Sequence, residues 1–481
     1  MKRRKKLWVM GGILALVLVL TVSVAMIDHK AEKIRESGEM ILQVPADTVT
    51  ALSWDYGEEN LRFTKDAEGW HYEGDENFPV SQKKLESMLE IFDGLGAAFR
   101  IEEVEDYSQY GLEDPACTIA FTAEGQDYTV KLGAFSKMDE QRYVDIGDGN
   151  VYLVFTDPMM EFDTDLRHVI ANDEVTYLDT AREIRFSGAE SYTIQKEPEG
   201  GKSHRPEDIY FAQVEGKLLP VDPALTETYL GDMTLLELTD YKTYTASEED
   251  LSQYGLDTPE LTVTVTYDEE LRGEPTGETK TYVLHVSRNQ EAVKQAQEKD
   301  DPDAEPVPAY VRVGDSEIIY EIRDQDYEKL MACGYDDLRH REIFPASTED
   351  IASMEIRLDG DSYVFTSETP EKEEDPRIFA YKSTETDVSE ILSALRSLHA
   401  ETFTKENPTG KQELQMTGTL TSGETVQLEL SRKDGEHCTA RVDGQVVADL
   451  PRTQVVELTE AIHSIVLNPV EEPESSEEAN P

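Results

Sequence analysis

Two short segments of the sequence carry residue types that could form a chemical site. The first, DIGDGN beginning at Asp145, has the acidic character of a calcium-binding loop. Such a loop needs several oxygen ligands at alternate positions, yet Gly147 and Gly149 stand where ligands would be required. The related segment YVRVGDSE keeps only the Gly-Asp pair and has Arg312 in place of Asp145. Gly and Asp both tolerate the backbone angles of a tight turn, so the pattern predicts a hairpin and no metal site.

The second candidate is the tetrapeptide Asp-Leu-Arg-His, which ends at His168 and occurs again ending at His340. A catalytic histidine needs a nucleophile or a second acid within hydrogen-bond distance. Neither copy lies near a Gly-x-Ser-x-Gly, HExxH or reactive-cysteine motif. Because the same four residues end two similar segments, we interpret them as a structural junction. In that interpretation Arg and Asp pair across a helix end and Leu enters the core.

The remaining reactive residue types form no recognisable site. Asp and Glu make up 101 of the 481 residues, so carboxylate pairs are frequent and none has flanking residues typical of a glycosidase. No glycine-rich phosphate loop follows a predicted strand. Cys117, Cys333 and Cys438 show no metal-site spacing, and their odd number argues against a disulfide framework. We therefore predict no catalytic, cofactor-binding or metal-binding residues, no cofactor, and no enzymatic activity.

A longer motif occurs twice and indicates how the chain is built. YSQYGLEDP begins at Tyr107 and LSQYGLDTP begins at Leu251, and six of their nine positions are identical. Tyr and Leu can anchor in a core, Gly permits a left-handed turn, and Pro fixes the start of a following strand. The motif therefore predicts a joint between a helix and a sheet.

Matching elements flank the two copies. Before the first copy, Leu85, Met88, Leu89 and Phe92 recur at helical spacing. Before the second copy, Asp222 followed by Pro is a good helix N-cap and first-position pair. After each copy, segments such as LTVTVTY alternate between apolar and polar residues and predict strands.

We therefore predict an α+β fold in which an N-terminal transmembrane helix precedes three repeats of antiparallel hairpins, each with one or two packed helices. The third repeat is degenerate because it has ENPTGKQEL where the YGLxxP motif would stand. A basic flank and membrane anchor are predicted at 1–27. The three repeats are predicted at 28–175, 176–346 and 347–469, and the second carries an acidic insertion at 293–308. A disordered acidic tail is predicted at 470–481.

The N-terminus predicts a single membrane span. KRRKK precedes 21 uncharged residues from Leu7 to Ile27, and a helix of that length rises about 31 Å, close to the hydrocarbon thickness of a bilayer. A cleaved signal peptide would have an apolar region of only about 7–15 residues. By the positive-inside rule the basic residues stay cytoplasmic. We expect a single-pass protein of the cell membrane with most of its chain extracytoplasmic.

The charge excludes one class of partner. Five of the 45 Lys and Arg residues precede residue 28 and all 101 acidic residues follow it, so the remainder carries a formal net charge of −61. Binding to nucleic acid would oppose that field. The charge is typical of a soluble exported region, and a basic protein partner is the alternative interpretation.

Several of these features together resemble domain of unknown function family 4340. They are the basic-flanked anchor, the hairpin LRFTKDAEGWHY, the segment FPVSQ with its helix, and YGLEDP before a strand pair. The matching positions are Trp70, Phe78, Pro79, Tyr110, Gly111, Leu112 and Pro115. The resemblance implies a bacterial membrane-anchored protein, often encoded beside ABC transporters, including those related to gliding motility. It implies no catalytic or ligand-binding residues.

Three functions are compatible with the sequence. The first is a non-catalytic accessory or scaffold protein that engages ABC transporter subunits or other envelope proteins. The second is an extracytoplasmic receptor for a solute or an envelope polymer, with a pocket between the first two repeats. The third is a cell-wall hydrolase.

Overall fold

The computed structural model describes residues 38–102, 104–299, 306–369 and 377–467. The predicted anchor at 1–27 and the acidic tail at 470–481 lie outside the described residues, as do residues 300–305 of the predicted insertion. Within the described ranges, no helix has both the length and the apolar composition needed to cross a membrane.

The described residues form two compact units. The first contains the described residues up to 174 together with 237–250 and 316–321. The second contains the described residues of 175–236, 251–315 and 322–467. The strands form antiparallel sheets, which confirms the predicted class of antiparallel hairpins with packed helices.

The first sheet contains nine strands in the described part of the chain. They are β1 (Glu39–Leu42), β2 (Val49–Tyr56), β3 (Glu59–Lys65), β4 (Trp70–Tyr72), β5 (Leu95–Ile101), β6 (Cys117–Ala123), β7 (Gln126–Ser136), β8 (Gln141–Asp145) and β9 (Val151–Val154). Their order across the sheet is β1-β5-β9-β8-β7-β6-β2-β3-β4.

Strands of the second predicted repeat follow the same plan. They are β10 (Ala181–Gly188), β11 (Ser191–Lys196), β12 (Tyr210–Val214), β13 (Lys217–Pro220), β14 (Tyr241–Thr243), β15 (Leu261–Leu271), β16 (Glu274–Arg288), β17 (Ala309–Val313) and β18 (Ile319–Ile322). In the second compact unit their order is β13-β12-β11-β10-β15-β16-β17. Strands β14 and β18 pair antiparallel within the first compact unit.

Among the described residues, the sheet of the third predicted repeat again contains nine strands. They are β19 (Ile351–Leu358), β20 (Asp361–Ser367), β21 (Phe379–Tyr381), β22 (Thr384–Thr386), β23 (Thr402–Phe403), β24 (Gln412–Leu420), β25 (Thr425–Arg432), β26 (His437–Val442) and β27 (Gln445–Pro451). Their order is β22-β21-β20-β19-β24-β25-β26-β27-β23.

The first and third sheets share the central part of one topology, although the first has β1 at one edge and one strand fewer in its first meander. In each, two meanders lie side by side through their first strands, β2 with β6 and β19 with β24. A strand from the connection between the meanders, β5 or β23, pairs with the last strand of the second meander. The central pairs β2–β6, β10–β15 and β19–β24 all shift register within the first three residues of their first strand. This common bulge supports the interpretation that the three segments are copies of one unit.

The helices are short and connect or cover the sheets. Those in the described part of the chain are α1 (Gln82–Leu89), α2 (Met159–Phe162), α3 (Pro223–Thr234), α4 (Glu248–Gln253), α5 (Gln290–Lys299), α6 (Asp324–Met331), α7 (Tyr335–Leu338), α8 (Ser389–Arg396) and α9 (Arg452–Val466). Short 3-10 helices occur at Ala46–Thr48, Glu90–Asp93, Ser108–Tyr110, Leu166–His168 and Thr348–Asp350.

The predicted helical faces are confirmed. Leu85, Met88 and Leu89 of α1 are buried, and Phe92 is buried in the 3-10 helix that follows. At the start of α3, the side chain of Asp222 accepts hydrogen bonds from the backbone N–H groups of the first turn. The apolar spacing and the cap therefore identified both helices correctly.

The two YGLxxP motifs form the joints that the sequence predicted. Each lies between a helical turn and the first strand of the second meander, β6 or β15. Gly111 has a φ of 68° and Gly255 a φ of 77°, which confirms the left-handed turn. Each preceding tyrosine packs on a tyrosine of the same repeat, with Tyr110 and Tyr143 ring centroids 5.0 Å apart.

The segment DIGDGN forms the predicted hairpin between β8 and β9. The Gly147 N–H donates a 2.8 Å hydrogen bond to the Asp145 carboxylate, and both Gly147 and Gly149 have positive φ. Cys117, Cys333 and Cys438 are free and buried. The hydrophobic cores are thus built without a disulfide among the described residues.

Candidate functional site

A cavity of about 460 Å³ lies in the second compact unit, between the second and third predicted repeats. One wall comes from the loop between β11 and β12 and from β13. A second wall comes from α7 and the segment that joins the two repeats, and a third from the β26–β27 hairpin. The lining residues are Lys202, Ser203, His204, Arg205, Asp208, Leu219, Pro220, Tyr335, Arg339, His340, Glu342, Ile343, Pro345, Glu424, Val442, Asp443 and Val447.

Backbone and side-chain contacts hold the β11–β12 loop against the joining segment. His204 and Ala346 form an isolated parallel bridge. The Arg205 Nη2 group donates a 2.9 Å hydrogen bond to the Phe344 carbonyl oxygen. The His204 ring also contacts the Glu424 carboxylate of the third repeat at 3.1 Å. These contacts fix the position of the charged side chains in the cavity lining.

His340 is the centre of a charged cluster in the cavity lining. Its Nε2 atom lies 2.7 Å from an Asp208 carboxylate oxygen. The Asp208 side chain is only 1% exposed and also accepts a hydrogen bond from the Ser203 hydroxyl. The other ring nitrogen, Nδ1, lies 3.7 Å from the carboxylate oxygens of both Asp222 and Glu342. The imidazole is therefore bordered by three carboxylates.

Arg205 supplies the second positive charge of the cluster. Its Nη1 atom lies 3.3 Å from His340 Nδ1 and 3.6 Å from Glu342 Oε2. The guanidinium is mostly buried, with 12% of the side chain exposed. Glu342 Oε2 is itself buried and has no hydrogen-bond donor among the described residues.

These contacts shift the titration of two groups. Burial alone would lower the pKa of His340, but the hydrogen bond to Asp208 and the contact with Glu342 outweigh it and raise the pKa to about 9. The contact with His340 lowers the pKa of Glu342 to about 2, against the opposing effect of burial. At neutral pH the imidazole is therefore protonated and Glu342 is ionised.

Part of the cavity lining is apolar. Leu219, Ile343, Val442 and Val447 contribute aliphatic surface. The Arg339 guanidinium lies 4.2 Å from the Phe403 ring centroid and 4.9 Å from that of Tyr335. A cavity of this size with apolar walls and a few fixed charges is typical of small-ligand sites.

The interpretation of the Asp-Leu-Arg-His tetrapeptide was partly wrong. The predicted pairing between its Arg and its Asp does not form in either copy, because Arg167 pairs with Asp240 at 3.2 Å and Arg339 with Asp336 at 3.3 Å. His168 is largely exposed and contacts Asp165.

His340 differs from His168 because it is half-buried within the charged cluster. The two histidines have the same preceding residues, so that difference comes from other parts of the chain. Asp208 and Asp222 precede His340 by more than 100 positions, and single-sequence spacing could not bring them together. One local signal existed: Glu342 follows His340 by two residues, whereas Ile170 follows His168.

In the described part of the chain, Asp222, His340 and Glu342 form the group whose donor atoms could hold a metal ion. One atom from each, His340 Nδ1 and a carboxylate oxygen from the other two, lies within 4.8 Å of the others. Asp222 is placed there by α3, because it is the N-cap of that helix and its own N–H donates a 2.9 Å bond to the Leu338 carbonyl.

A family model described as "Domain of unknown function (DUF4340)" matches residues 70–217 and 213–417, more than half of the chain. The chain belongs to this family. The resemblance predicted from the sequence is thereby confirmed. The DUF4340 matches include the β11–β12 loop, Asp222, His340 and Glu342, whereas Glu424 and the β26–β27 hairpin lie beyond them. No curated protein and no solved structure matches this chain.

Proposed function

We propose that this DUF4340 protein is a membrane-anchored, extracytoplasmic accessory or scaffold protein of an ABC-type transport system, with no catalytic role of its own. The observation that carries the proposal is the uncharged segment from Leu7 to Ile27 behind five basic residues. Such a segment favours a stable single-pass anchor with a cytoplasmic N-terminus.

The folded part of the chain is suited to presenting surface to protein partners. The strongly acidic charge beyond the anchor favours partners with basic surfaces and speeds their association. The link to ABC transporters rests on the family resemblance.

The anchor is tested first, with the full-length chain expressed in a bacterial membrane. We expect the protein to stay in the membrane fraction after a carbonate wash, and external protease to digest it in spheroplasts. The double variant Leu16→Arg/Leu18→Arg should become soluble, because two charges at the centre of the span oppose insertion. The matched variant Leu16→Ile/Leu18→Ile should stay in the membrane. Release of the wild type by the wash would overturn the anchor.

The partner is tested by cross-linking intact cells and purifying the tagged chain from solubilised membranes. We expect transporter ATPase and membrane subunits to be recovered with the wild type and with the Ile variant, and to be lost with the Arg variant. Recovery of no transport subunit from a correctly anchored wild type would contradict the accessory role.

A receptor for a solute or an envelope polymer is the second candidate. The cavity between the second and third repeats favours it, because the cavity is large enough for a small ligand and combines fixed charges with apolar walls. Ligand-dependent thermal stabilisation of the full chain in detergent, lost in an Arg339→Ala variant and retained in an exposed control such as Arg182→Ala, would favour the receptor. Equal stabilisation of both variants would place the ligand elsewhere.

A further inference from the structure

We propose that Asp222, His340 and Glu342 bind a divalent transition-metal ion at the joint between the second and third repeats. The proposal is independent of the transport role, because it concerns the interior of one compact unit. A borderline ion such as Zn²⁺ fits a donor set of one imidazole and two carboxylates.

The donor atoms already have almost the spacing that an ion requires. His340 Nδ1 lies 3.7 Å from the Asp222 Oδ2 atom and 3.7 Å from the Glu342 Oε2 atom. In a tetrahedral zinc site the metal–ligand distances of about 2.0–2.2 Å place two donors about 3.5 Å apart. The two pairs that include the imidazole are therefore within a few tenths of an ångström of the spacing around a bound ion, and the two carboxylate oxygens lie within 4.8 Å of each other.

The imidazole is oriented as a metal ligand. Its Nε2 atom is hydrogen-bonded to Asp208, whose carboxylate is buried and held in turn by Ser203. Metal-bound histidines usually donate their second N–H to a carboxylate in this way, which fixes the ring and directs the other nitrogen at the ion. His168, at the same place in the first repeat, is mostly exposed, and it is Nδ1 rather than Nε2 that contacts its carboxylate partner, Asp165.

An independent observation is a buried oxygen without a hydrogen bond. Glu342 Oε2 accepts no hydrogen bond from any described residue, because its nearest positive groups, Arg205 Nη1 at 3.6 Å and His340 Nδ1 at 3.7 Å, lie beyond hydrogen-bond distance. A buried carboxylate oxygen is normally paired with a donor or a cation. An ion bound between Glu342 and His340 Nδ1 would satisfy that oxygen directly.

The charge balance agrees with a divalent ion. Asp208, Asp222 and Glu342 contribute three negative charges, and Arg205 contributes one positive charge. These four side chains together carry a net charge of −2, which a divalent ion bound to the neutral imidazole would balance.

Arg205 competes with the ion for part of this space. Its Nη1 atom lies 3.3 Å from His340 Nδ1, so the bound ion must displace it. The Nη2 bond to the Phe344 carbonyl can anchor the guanidinium at the edge of the site. Replacing Arg205 by a shorter, uncharged side chain should therefore strengthen metal binding.

The experiment titrates Co²⁺ into the chelator-treated full-length protein in detergent. We expect one equivalent of Co²⁺ to bind with visible d–d absorbance that one equivalent of Zn²⁺ abolishes. Affinity should fall at least about tenfold in His340→Gln and in Glu342→Gln, because each removes one ligand. It should also fall in Asp222→Asn, which keeps an N-cap acceptor. The matched control His168→Gln should bind like the wild type, and Arg205→Met should bind more tightly.

Failure of the wild type to bind Co²⁺ at micromolar concentrations would overturn the proposal whatever the variants do. Equal binding by His168→Gln and His340→Gln would also overturn it, since the ion would then sit on other side chains. Circular dichroism checks that each variant is folded. If His340→Gln unfolds, the Glu342→Gln and Asp222→Asn pair decides the outcome. Binding by Arg205→Met that is unchanged or weaker contradicts the position assigned to the ion.

Discussion

Three glycines at equivalent positions of the three repeats lie so close to the backbone of a neighbouring strand that a side chain would collide with it. A Cβ atom on Gly111 would lie 2.9 Å from the Ala134 nitrogen, and one on Gly255 would lie 2.6 Å from the Arg288 carbonyl oxygen. At Gly410 of the third repeat, the carbonyl oxygen of Arg432 would be closer still. Arg288 and Arg432 end corresponding strands, β16 and β25, so the close approach is a property of the repeat.

Gly255→Ala should destabilise the protein by about 2–4 kcal/mol, because it adds both left-handed strain and a collision with backbone. The matched control is Gly273→Ala in the same repeat. Gly273 has a similar φ of 81° but nothing within 4 Å of an added Cβ. The Gly273→Ala variant should therefore lower the free energy of unfolding by only about 1 kcal/mol. Urea unfolding of the two variants measures the difference, and equal losses would contradict the close approach.

The three glycines of this close approach also show what the sequence could and could not predict about single residues. The YGLxxP letters predicted the left-handed turns at Gly111 and Gly255. They did not identify Gly410, because ENPTGKQEL shares no other feature with the motif and only the approach to Arg432 reveals the equivalence. The third repeat has therefore lost the motif but kept the glycine contact.

At the scale of elements, the β15–β16 hairpin extends beyond the strands that flank it. Pairing with β10 reaches only Tyr267, and pairing with β17 begins at Leu284. The β15–β16 ladder nevertheless continues to Leu271 and Glu274. Residues 271–281 are exposed. In the first repeat the corresponding hairpin closes directly at Ala123 and Gln126. The second repeat thus carries a two-stranded arm.

Replacing residues 269–278 by Asn-Gly should shift the melting temperature by less than about 2 °C, since the arm buries little apolar surface and its exposed ion pairs contribute about 0–1 kcal/mol each. Val265→Ala is the control in the buried part of the same strand. It should cost about 2–3 kcal/mol. Differential scanning fluorimetry compares the melting temperatures of the two variants. If the shortened arm lowers the melting temperature as much as Val265→Ala does, the arm supports the core.

Local pattern predicted the helices and hairpins well, because both depend on residues near each other in the chain. It could not predict the closing strand β23, which contains only Thr402 and Phe403 and pairs with β27 more than 40 residues later. Nor could it place Asp208 beside His340. Both arrangements depend on how elements from distant segments meet, which the alternation of a single strand does not encode.

At the scale of the whole molecule, the formal net charge of −56 should make stability depend on salt. Raising ionic strength from 0.01 M to 0.15 M shortens the Debye length from about 30 Å to about 8 Å and weakens repulsion among the excess carboxylates. We expect the melting temperature of the full chain to rise over this range. NaCl and KCl should act equally, because screening depends on ionic strength. A fall in melting temperature, or a large difference between the two salts, would contradict this account.

The three buried cysteines set a condition on how this protein reaches its folded state. Burial raises the pKa of Cys117 and Cys333 to about 11 and that of Cys438 to about 12, so the folded protein presents almost no thiolate at neutral pH. The unfolded chain has no such protection. In the proposed extracytoplasmic location, where disulfides form readily, folding and oxidation would compete for the same three thiols. Burial of each thiol in its core before an oxidant reaches it would then decide how much of the newly exported protein becomes native.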